Sequence, residues 1–291
     1  MTEKINLHTH CTFCDGKNSA REMVESAIAK GFTSLGFSSH CTYPVDPEFY
    51  RTPDDFWHIP AAKIGEYQAE INKLKAEYSD RIQIFSGFEA DFFEIPGTGS
   101  AHPDFSAYSS LNPDYLIGSV HFVNSNKGFY TVDHSADNVK ENLKKIYNND
   151  FQTAVCEYFE AEREMLRKCS FSVLGHADLI RKRNGILNFF NEDEAWYKEQ
   201  VKLTVEEIAK NGAVVELNTG AIARGIMDDV YPAEYMLNLL YSKGVPVCVN
   251  SDTHDINTID CAFDKAYHIA RKAGYKELVY PVKDKEIIVK L

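Results

Sequence analysis

The sequence lacks the features that place a chain in a membrane or on a nucleic acid. No apolar run approaches the ~18 residues of a membrane span, and the opening Met-Thr-Glu-Lys does not resemble a signal peptide. Basic residues are also in deficit, with 31 Lys and Arg against 43 Asp and Glu and a formal net charge of −12. Because a nucleic-acid partner favours a basic face, we expect neither a nucleic-acid nor a membrane partner.

Linkers, low-complexity tracts and internal repeats are also lacking. The seven cysteines form an odd set without a secretory context, which is typical of reduced thiols in a cytoplasm. A length of 291 residues is above the usual single-domain size, but barrels use it as one domain. We therefore expect one cytoplasmic domain spanning residues 1–291. A homo-oligomer stays possible on these data.

Short apolar runs bounded by turn residues are what the sequence does contain, and amphipathic stretches separate most of them. Alternation of strand and helix predicts a parallel sheet, and crossovers of one hand roll such a sheet up. Seven strands are one short of the common eight, so we predict an α/β fold, a distorted TIM-like (β/α)7 barrel. The predicted strands are Ile5–His8, Ser34–Ser38, Ile82–Gly87, Tyr115–Ser119, Ser172–Gly175, Ala213–Leu217 and Pro246–Asn250.

Metal-ligating side chains recur at the ends of these runs. In His8-Thr9-His10 both imidazoles point to one face, because residues i and i+2 of a strand do so. Six of the ten histidines end a predicted strand, and acidic residues accompany them. Nitrogen and carboxylate ligands without cysteine suit zinc, manganese or iron. The candidate ligands are His8, His10, Asp15, His40, Glu89, His121, His176, Asp252 and His254.

These residues resemble the motifs of the PHP (polymerase and histidinol phosphatase) superfamily. Three segments are similar to the histidinol-phosphate phosphatases within it: Gly-His-Ala-Asp-Leu-Ile-Arg-Lys at 175–182, Val-Glu-Leu-Asn-Thr at 215–219 and Asn-Ser-Asp-Thr-His at 250–254. The similarity runs from residue 5 to about residue 275 and is weakest at 122–171. It implies a (β/α)7 barrel that holds three divalent ions and hydrolyses L-histidinol phosphate in histidine biosynthesis.

The resemblance also implies how the ligands divide among the ions. The first ion would be held by His8, His10, Glu89 and Asp252. Glu89 would bridge to the second ion, which also takes His121 and His176. The third ion would be held by Asp15, His40 and His254.

The ligand set predicts phosphate chemistry by charge alone. Three carboxylates (Asp15, Glu89, Asp252) against three divalent ions leave a formal charge of about +3, or about +2 with a bridging hydroxide, which suits a phosphomonoester dianion. Metal-bound water ionises near pH 7 and supplies a nucleophile. The leaving oxygen then needs a proton, and Asp252 and His254 are both candidates for relaying it.

Further side chains are candidates for contacting the substrate. Arg224, just past the sixth strand, is the preferred phosphate ligand because its planar fork suits phosphate; a surface arginine is the alternative. Arg181 and Arg183 are weaker candidates. Glu216 and Asn218 are interpreted either as supports for the ligands or as substrate contacts, and His102 as a further substrate contact. Two long connections, 41–60 and 90–114, are expected to form walls of the pocket.

Two other functions compete with a phosphomonoesterase. A PHP-type phosphodiesterase or exonuclease would act on a polyanion, and the sequence has no basic stripe for one. A non-catalytic metal-binding module would be expected to lack some ligands, and none of the nine is missing. A barrel amidohydrolase shares the opening His-x-His but typically has a lysine at the end of strand four, where Val120-His121-Phe122 has none.

Overall fold

The structure is a computed structural model that describes residues 3–41, 57–95, 97–125 and 128–291. Part of the first predicted pocket wall, including Tyr43, Pro44, Pro47, Tyr50 and Pro53, lies outside the described residues. No helix within the described ranges is both long and apolar enough to cross a bilayer.

Strands alternate with helices along most of the described chain. In chain order the strands are β1 (Ile5–Asn6), β2 (Ser34–Phe37), β3 (His40–Cys41), β4 (Gln83–Asp91), β5 (Phe93–Glu94), β6 (Ala101–His102), β7 (Tyr115–Ser119), β8 (Phe122–Ser125), β9 (Gly128–Thr131), β10 (Val173–Leu174), β11 (Val214–Asn218), β12 (Val247–Asn250), β13 (Glu277–Val282) and β14 (Lys285–Lys290).

Most of the α-helices lie in the amphipathic stretches that separate the strands. They are α1 (Ala20–Ala29), α2 (Ile64–Glu77), α3 (Ala136–Tyr147), α4 (Phe151–Lys168), α5 (Asn184–Leu187), α6 (Ala195–Asn211), α7 (Gly220–Ala223), α8 (Glu234–Ser242) and α9 (Phe263–Ala273). Local chemistry fixes their ends: Ser19 and Glu22 form a capping box at the start of α1, and Gly212 ends α6 with a left-handed φ of 86°.

Seven parallel strands form a nearly closed barrel, as the sequence predicted. Their spatial order is β1-β2-β4-β7-β10-β11-β12. The short strand β3 follows β2 and pairs with the later part of β4. Between β1 and β12, which we call the seam, the contact is made largely by side chains. Leu7 N–H donates to Asn250 Oδ1 (2.8 Å), Asn6 Nδ2 donates to Ser251 Oγ (2.6 Å), and Thr9 pairs with Thr253 as an isolated parallel bridge.

The barrel interior is filled by a large aromatic side chain. Tyr115 on β7 is fully buried and donates its hydroxyl to the Leu7 carbonyl oxygen on the opposite side (2.5 Å). A Cβ atom at Gly36 or Gly87 would overlap the Tyr115 side chain. Glycine at these two positions is therefore what lets the tyrosine cross the barrel.

Several strand ends and three hairpins differ from the sequence prediction, and β1 ends at Asn6 rather than at His8. β4 runs to Asp91, so Glu89 lies inside a strand rather than after one, and β10 is only two residues long. The antiparallel pairs β5–β6, β8–β9 and β13–β14 were not predicted. The first two pairs lie in the connections that flank β7, and the third follows the barrel.

Candidate metal centre

Glu89 lies at the centre of a cluster of imidazoles at the carboxyl ends of the strands. Its side chain is buried, and its two oxygens lie within 3.5 Å of ring nitrogens of five histidines. Oε2 faces His8 Nε2 (3.0 Å), His10 Nε2 (3.4 Å) and His40 Nδ1 (3.1 Å). Oε1 faces His176 Nε2 (3.0 Å) and His121 Nε2 (3.5 Å). This carboxylate is therefore placed to bridge two cation positions.

Asp252, Asp15 and His254 complete the cluster on the cavity side. Asp252 Oδ1 lies 3.5 Å from His10 Nε2 and 3.7 Å from His8 Nε2. Asp15 Oδ2 lies 3.2 Å from His254 Nε2, and the His254 ring stacks on His10 with centroids 4.1 Å apart. The structure thus brings all nine predicted ligands into one cluster.

The ligand atoms group into compact sets, each with its atoms within 4.8 Å of one another. Among the described residues these sets are His10-Asp15-His40-His254, His8-His10-Asp252, Glu89-His121-His176 and His40-Asp91-His121. The set Glu89-His121-His176 is the one that the family resemblance implies for the second ion, whereas the first set adds His10 to Asp15, His40 and His254, and the set around Asp252 lacks Glu89. The fourth contains Asp91, which was not among the predicted ligands.

The donor atoms fit divalent cations. Four of them are buried without a hydrogen-bond partner in the described structure: His8 Nε2, His10 Nε2, His40 Nδ1 and Glu89 Oε2. Buried polar atoms of this kind cost free energy when left unpaired. These four converge on the same space, and an imidazole–carboxylate set suits zinc, manganese or iron. The residues present therefore fit bound metal ions.

The pKa shifts within the cluster also show that its carboxylates favour positive charge nearby. Burial alone would lower the pKa of His8, but Glu216, Glu89 and Asp252 outweigh it and raise that pKa to about 10. Burial also opposes ionisation of Glu89, yet His8, His40 and His121 hold its pKa well below the usual range. The pKa values of His10 and His121 are raised as well, so a cation that binds His8, His10 or His121 would release a proton.

Glu216 supports the cluster from behind. Its buried carboxylate accepts hydrogen bonds from His8 Nδ1 (2.9 Å), the His176 backbone N–H (2.9 Å), Asn218 Nδ2 (2.7 Å) and Asn250 Nδ2 (2.9 Å). Because Nδ1 donates to Glu216, His8 Nε2 is the nitrogen through which this ring would bind a cation. Of the two interpretations left open for Glu216 and Asn218, the geometry favours support of the ligands, because neither side chain lines the cavity.

Two ligand positions also carry unusual backbone conformations. His176 has φ of 21° and Asp252 has φ of 48°, both positive values for non-glycine residues. Such conformations cost of order 1–3 kcal/mol each and cluster at functional sites. The surrounding structure therefore holds these two residues in conformations that cost free energy.

A cavity of about 530 Å³ opens above the cluster. Arg224 lines it and donates to Asp252 Oδ2 from Nη2 (2.8 Å) and to the Asp252 carbonyl oxygen from Nη1 (3.1 Å). Burial opposes the charged form of Arg224, but Asp252 outweighs it and raises the pKa, so the guanidinium stays charged. The other lining residues outside the predicted ligands are Lys17, Trp57, Asp133, Leu179, Lys182, Ala223, Asp255 and Thr258, and Trp57 lies in the predicted wall 41–60.

Of the three basic residues at 181–183, Lys182 lines the cavity, and Arg181 and Arg183 do not. Its ammonium lies 3.0 Å from Asp133 Oδ2. Arg181 instead pairs with Glu192 and Asp229 (both 2.8 Å). This run lies in a 3₁₀ helix, Leu179–Arg183, where consecutive side chains diverge by about a third of a turn. Sequence alone could not show which one turns inwards.

Two other predicted substrate contacts also lie away from the cavity lining. Arg183 donates to the backbone carbonyl oxygens of Asp133 (2.9 Å) and His134 (2.5 Å), so it holds the loop that carries Asp133. His102 is buried in the β5–β6 hairpin, opposite Phe93.

A (β/α)7 barrel with a histidine–carboxylate cluster at the carboxyl ends of its strands defines the class of metal-dependent barrel hydrolases. Within that class the family is clear. Residues 6–220 match the PHP domain family model, and the chain belongs to the PHP family.

Individual relatives match this chain over most of their length. The "Probable histidinol-phosphatase" of Schizosaccharomyces pombe is 27% identical over 288 residues, covering 94% of this chain and 88% of the relative. A Listeria monocytogenes structure assigned as a histidinol phosphatase has a TM-score of 0.76 at 23% identity, covering 90% and 99%. Histidinol phosphate phosphatase from Lactococcus lactis subsp. lactis, complexed with Zn, L-histidinol and phosphate, has a TM-score of 0.68 at 18% identity, covering 98% and 99%.

Proposed function

We propose that this protein is a metal-dependent phosphomonoesterase that hydrolyses L-histidinol phosphate to L-histidinol and phosphate in histidine biosynthesis. The observation that carries the proposal is the nine-ligand cluster beneath a cavity that presents Arg224 and Lys182. The names of the relatives support the substrate, since one such enzyme was solved with L-histidinol and phosphate bound. All seven cysteines are free of disulfides, which supports a cytoplasmic location.

The cluster is proposed to hold three divalent ions of zinc, manganese or iron. His8, His10, Glu89 and Asp252 would bind the first, Glu89, His121 and His176 the second, and Asp15, His40 and His254 the third. Bound ions of this kind ionise water near neutral pH and polarise phosphoryl oxygens.

The protein's own residues would bind and orient the ester. Arg224 and Lys182 reach the cavity from two different loops and would fix the phosphate oxygens by charge-assisted hydrogen bonds. Asp133 and Asp255 line the same cavity, and their carboxylates would attract the cationic groups of histidinol. A small ester with a dianionic and a cationic end therefore fits this charge distribution.

Asp252 and His254 both line the cavity and are the two candidates for protonating the leaving oxygen. Substrates with different leaving groups show which of the two residues is the general acid. Loss of a general acid harms an alkyl ester far more than an aryl phosphate, whose leaving group needs no proton. We expect one of Asp252→Asn and His254→Gln to show this selective loss. If both lower the two rates equally, neither residue is the acid.

The nuclease alternative is less favoured, because the described cavity lining sets three lysines and arginines against five acidic residues. The test compares kcat/KM for histidinol phosphate, a neutral alkyl phosphate and a short single-stranded oligonucleotide. We expect histidinol phosphate to be preferred by more than tenfold over each. Equal cleavage of the oligonucleotide would establish a nuclease, preference for the neutral ester a different phosphatase, and no turnover with bound metal a non-catalytic metal-binding module.

A further inference from the structure

Asp91 is a buried carboxylate beside the metal centre that the proposed mechanism does not use. It lies two residues after Glu89 on β4, so both side chains point to the same face of the sheet. Only 2% of Asp91 is exposed. Its Oδ1 lies 2.5 Å from His121 Nδ1, and its Oδ2 lies 2.6 Å from His58 Nε2. One carboxylate therefore joins two imidazoles.

These contacts determine which nitrogen of His121 carries a proton. A carboxylate oxygen only accepts hydrogen bonds, so His121 Nδ1 must be the donor. His121 Nε2, which faces Glu89 Oε1 at 3.5 Å, is then the atom left for a cation.

His58 ties this carboxylate to the cavity wall. The Ile59 backbone N–H donates to the His40 carbonyl oxygen (2.9 Å), which anchors the segment next to another candidate ligand. Trp57 lines the cavity and stacks on Phe122, with ring centroids 5.5 Å apart. Trp57 Nε1 also lies 3.2 Å from His58 Nε2. Because the shorter Asp91 contact requires a proton on that nitrogen, the indole contact is a packing contact.

We propose that Asp91 is a positioning residue for His121 and that His58 holds Asp91 in place. The pair fixes the ring orientation of His121 and strengthens it as a ligand, and it thereby sets the affinity of the Glu89-His121-His176 position. This inference rests on the metal centre of the proposed function and extends it to two residues outside the nine ligands.

A direct ligand role for Asp91 is the competing explanation, since it groups with His40 and His121 within 4.8 Å. Both of its oxygens are already engaged by imidazole nitrogens at hydrogen-bond distance. A cation bound to either oxygen would compete with a hydrogen bond that is already made. The geometry therefore favours positioning, and the two roles give different ion counts.

The test measures zinc binding to Asp91→Asn, His58→Ala and His58→Gln by competition with a chelator, together with the number of ions bound at saturation. We expect Asp91→Asn to bind as many ions as the parent, with affinity for one of them lowered about 10- to 100-fold. His58→Ala should show a smaller loss in the same ion. His58→Gln should be partly rescued, because its amide still donates to Asp91.

Matched controls are Asp264→Asn and His268→Gln, two exposed positions on α9, which should bind zinc like the parent. Long-range ¹H–¹⁵N spectra of the zinc-loaded protein supply a readout that a merely structural role would not move. They should show His121 protonated at Nδ1 in the parent, with that proton signal lost or shifted in Asp91→Asn.

Several outcomes would overturn the inference. Loss of one ion at saturation would make Asp91 a ligand, and unchanged affinity with an unchanged His121 signal would give it no role. If Asp91→Asn fails to fold, the His58 pair decides: equal, parent-like affinity in both variants refutes the proposal. None of these measurements needs turnover, so a protein that binds zinc as described but hydrolyses no phosphomonoester would refute the proposed function and leave this inference standing.

Discussion

Replacing Arg224 by alanine tests the phosphate site most directly. Arg224 reaches the cavity from the loop after β11 and turns two guanidinium nitrogens to Asp252. The fork has donors left over for a substrate oxygen, since arginine carries five N–H groups. A charge-assisted hydrogen bond contributes ~1.5–3 kcal/mol. Its loss should lower kcat/KM about 10- to 150-fold.

The assay is phosphate release from histidinol phosphate at matched metal content. Arg224→Lys keeps the charge but not the fork, so its loss should be smaller than that of Arg224→Ala. Arg271→Ala, at an exposed position on α9, is the control and should match the parent. Inhibition by inorganic phosphate should weaken in Arg224→Ala, because the product shares the contact.

Two results would refute this reasoning. A decrease of less than about threefold in kcat/KM for Arg224→Ala would mean that the guanidinium does not contact the phosphate. A large decrease that follows loss of bound metal, with phosphate inhibition unchanged in the remaining active fraction, would mean that Arg224 acts only by holding Asp252.

Three further results are expected. Asp252→Asn should reduce kcat to less than about a tenth of the parent value while Tm stays near the parent's; a milder loss, below ~1.4 kcal/mol, would remove Asp252 from the centre of the mechanism. Removing metal with a chelator should abolish turnover reversibly, and the far-UV circular dichroism should persist, because the barrel core is large enough to fold without ions; unfolding would contradict this. Glu162→Gln should raise Tm relative to the parent more at pH 8 than at pH 4. Burial raises the pKa of Glu162 well above its usual range, although Tyr158 donates to it at 3.0 Å. The stability of the protonated form is full below the unfolded pKa of ~4.3 and is lost as pH rises through the higher folded value. Equal Tm differences at both pH values would show that Glu162 is ionised in the folded protein.

The barrel was predictable because its evidence is local. Short apolar runs bounded by turns fix strands, and a strand places residues i and i+2 on one face. His8 and His10 follow that rule, and their side chains meet Glu89 as expected. Parallel strands then gather their carboxyl ends at one rim, so ligands far apart in sequence become neighbours.

What the sequence did not show depends on side-chain direction and on tertiary partners. The sequence Arg181-Lys182-Arg183 does not show which of the three side chains points into the cavity. That direction is set by the 3₁₀ helix in which they lie, and it is Lys182 that turns inwards. Glu216 and Asp91 both follow buried apolar runs, yet each contacts an imidazole nitrogen rather than the cavity. The hairpins were missed because their apolar patterns are short and their pairing depends on the neighbouring barrel.

Because the seam joins the two ends of the barrel, we expect the metal centre to form late in folding. His8 and His254 lie 246 residues apart in the chain, and contacts of such separation form slowly. Until Asn6 and Asn250 join the two strands, a chain holds an incomplete set of donors. Ions that bind only the joined form pull the equilibrium towards it. We expect zinc uptake during refolding to follow the slowest phase seen by circular dichroism; uptake in an earlier phase would show that the donors assemble before the seam. Bound zinc would then report that the two ends of the chain have come together.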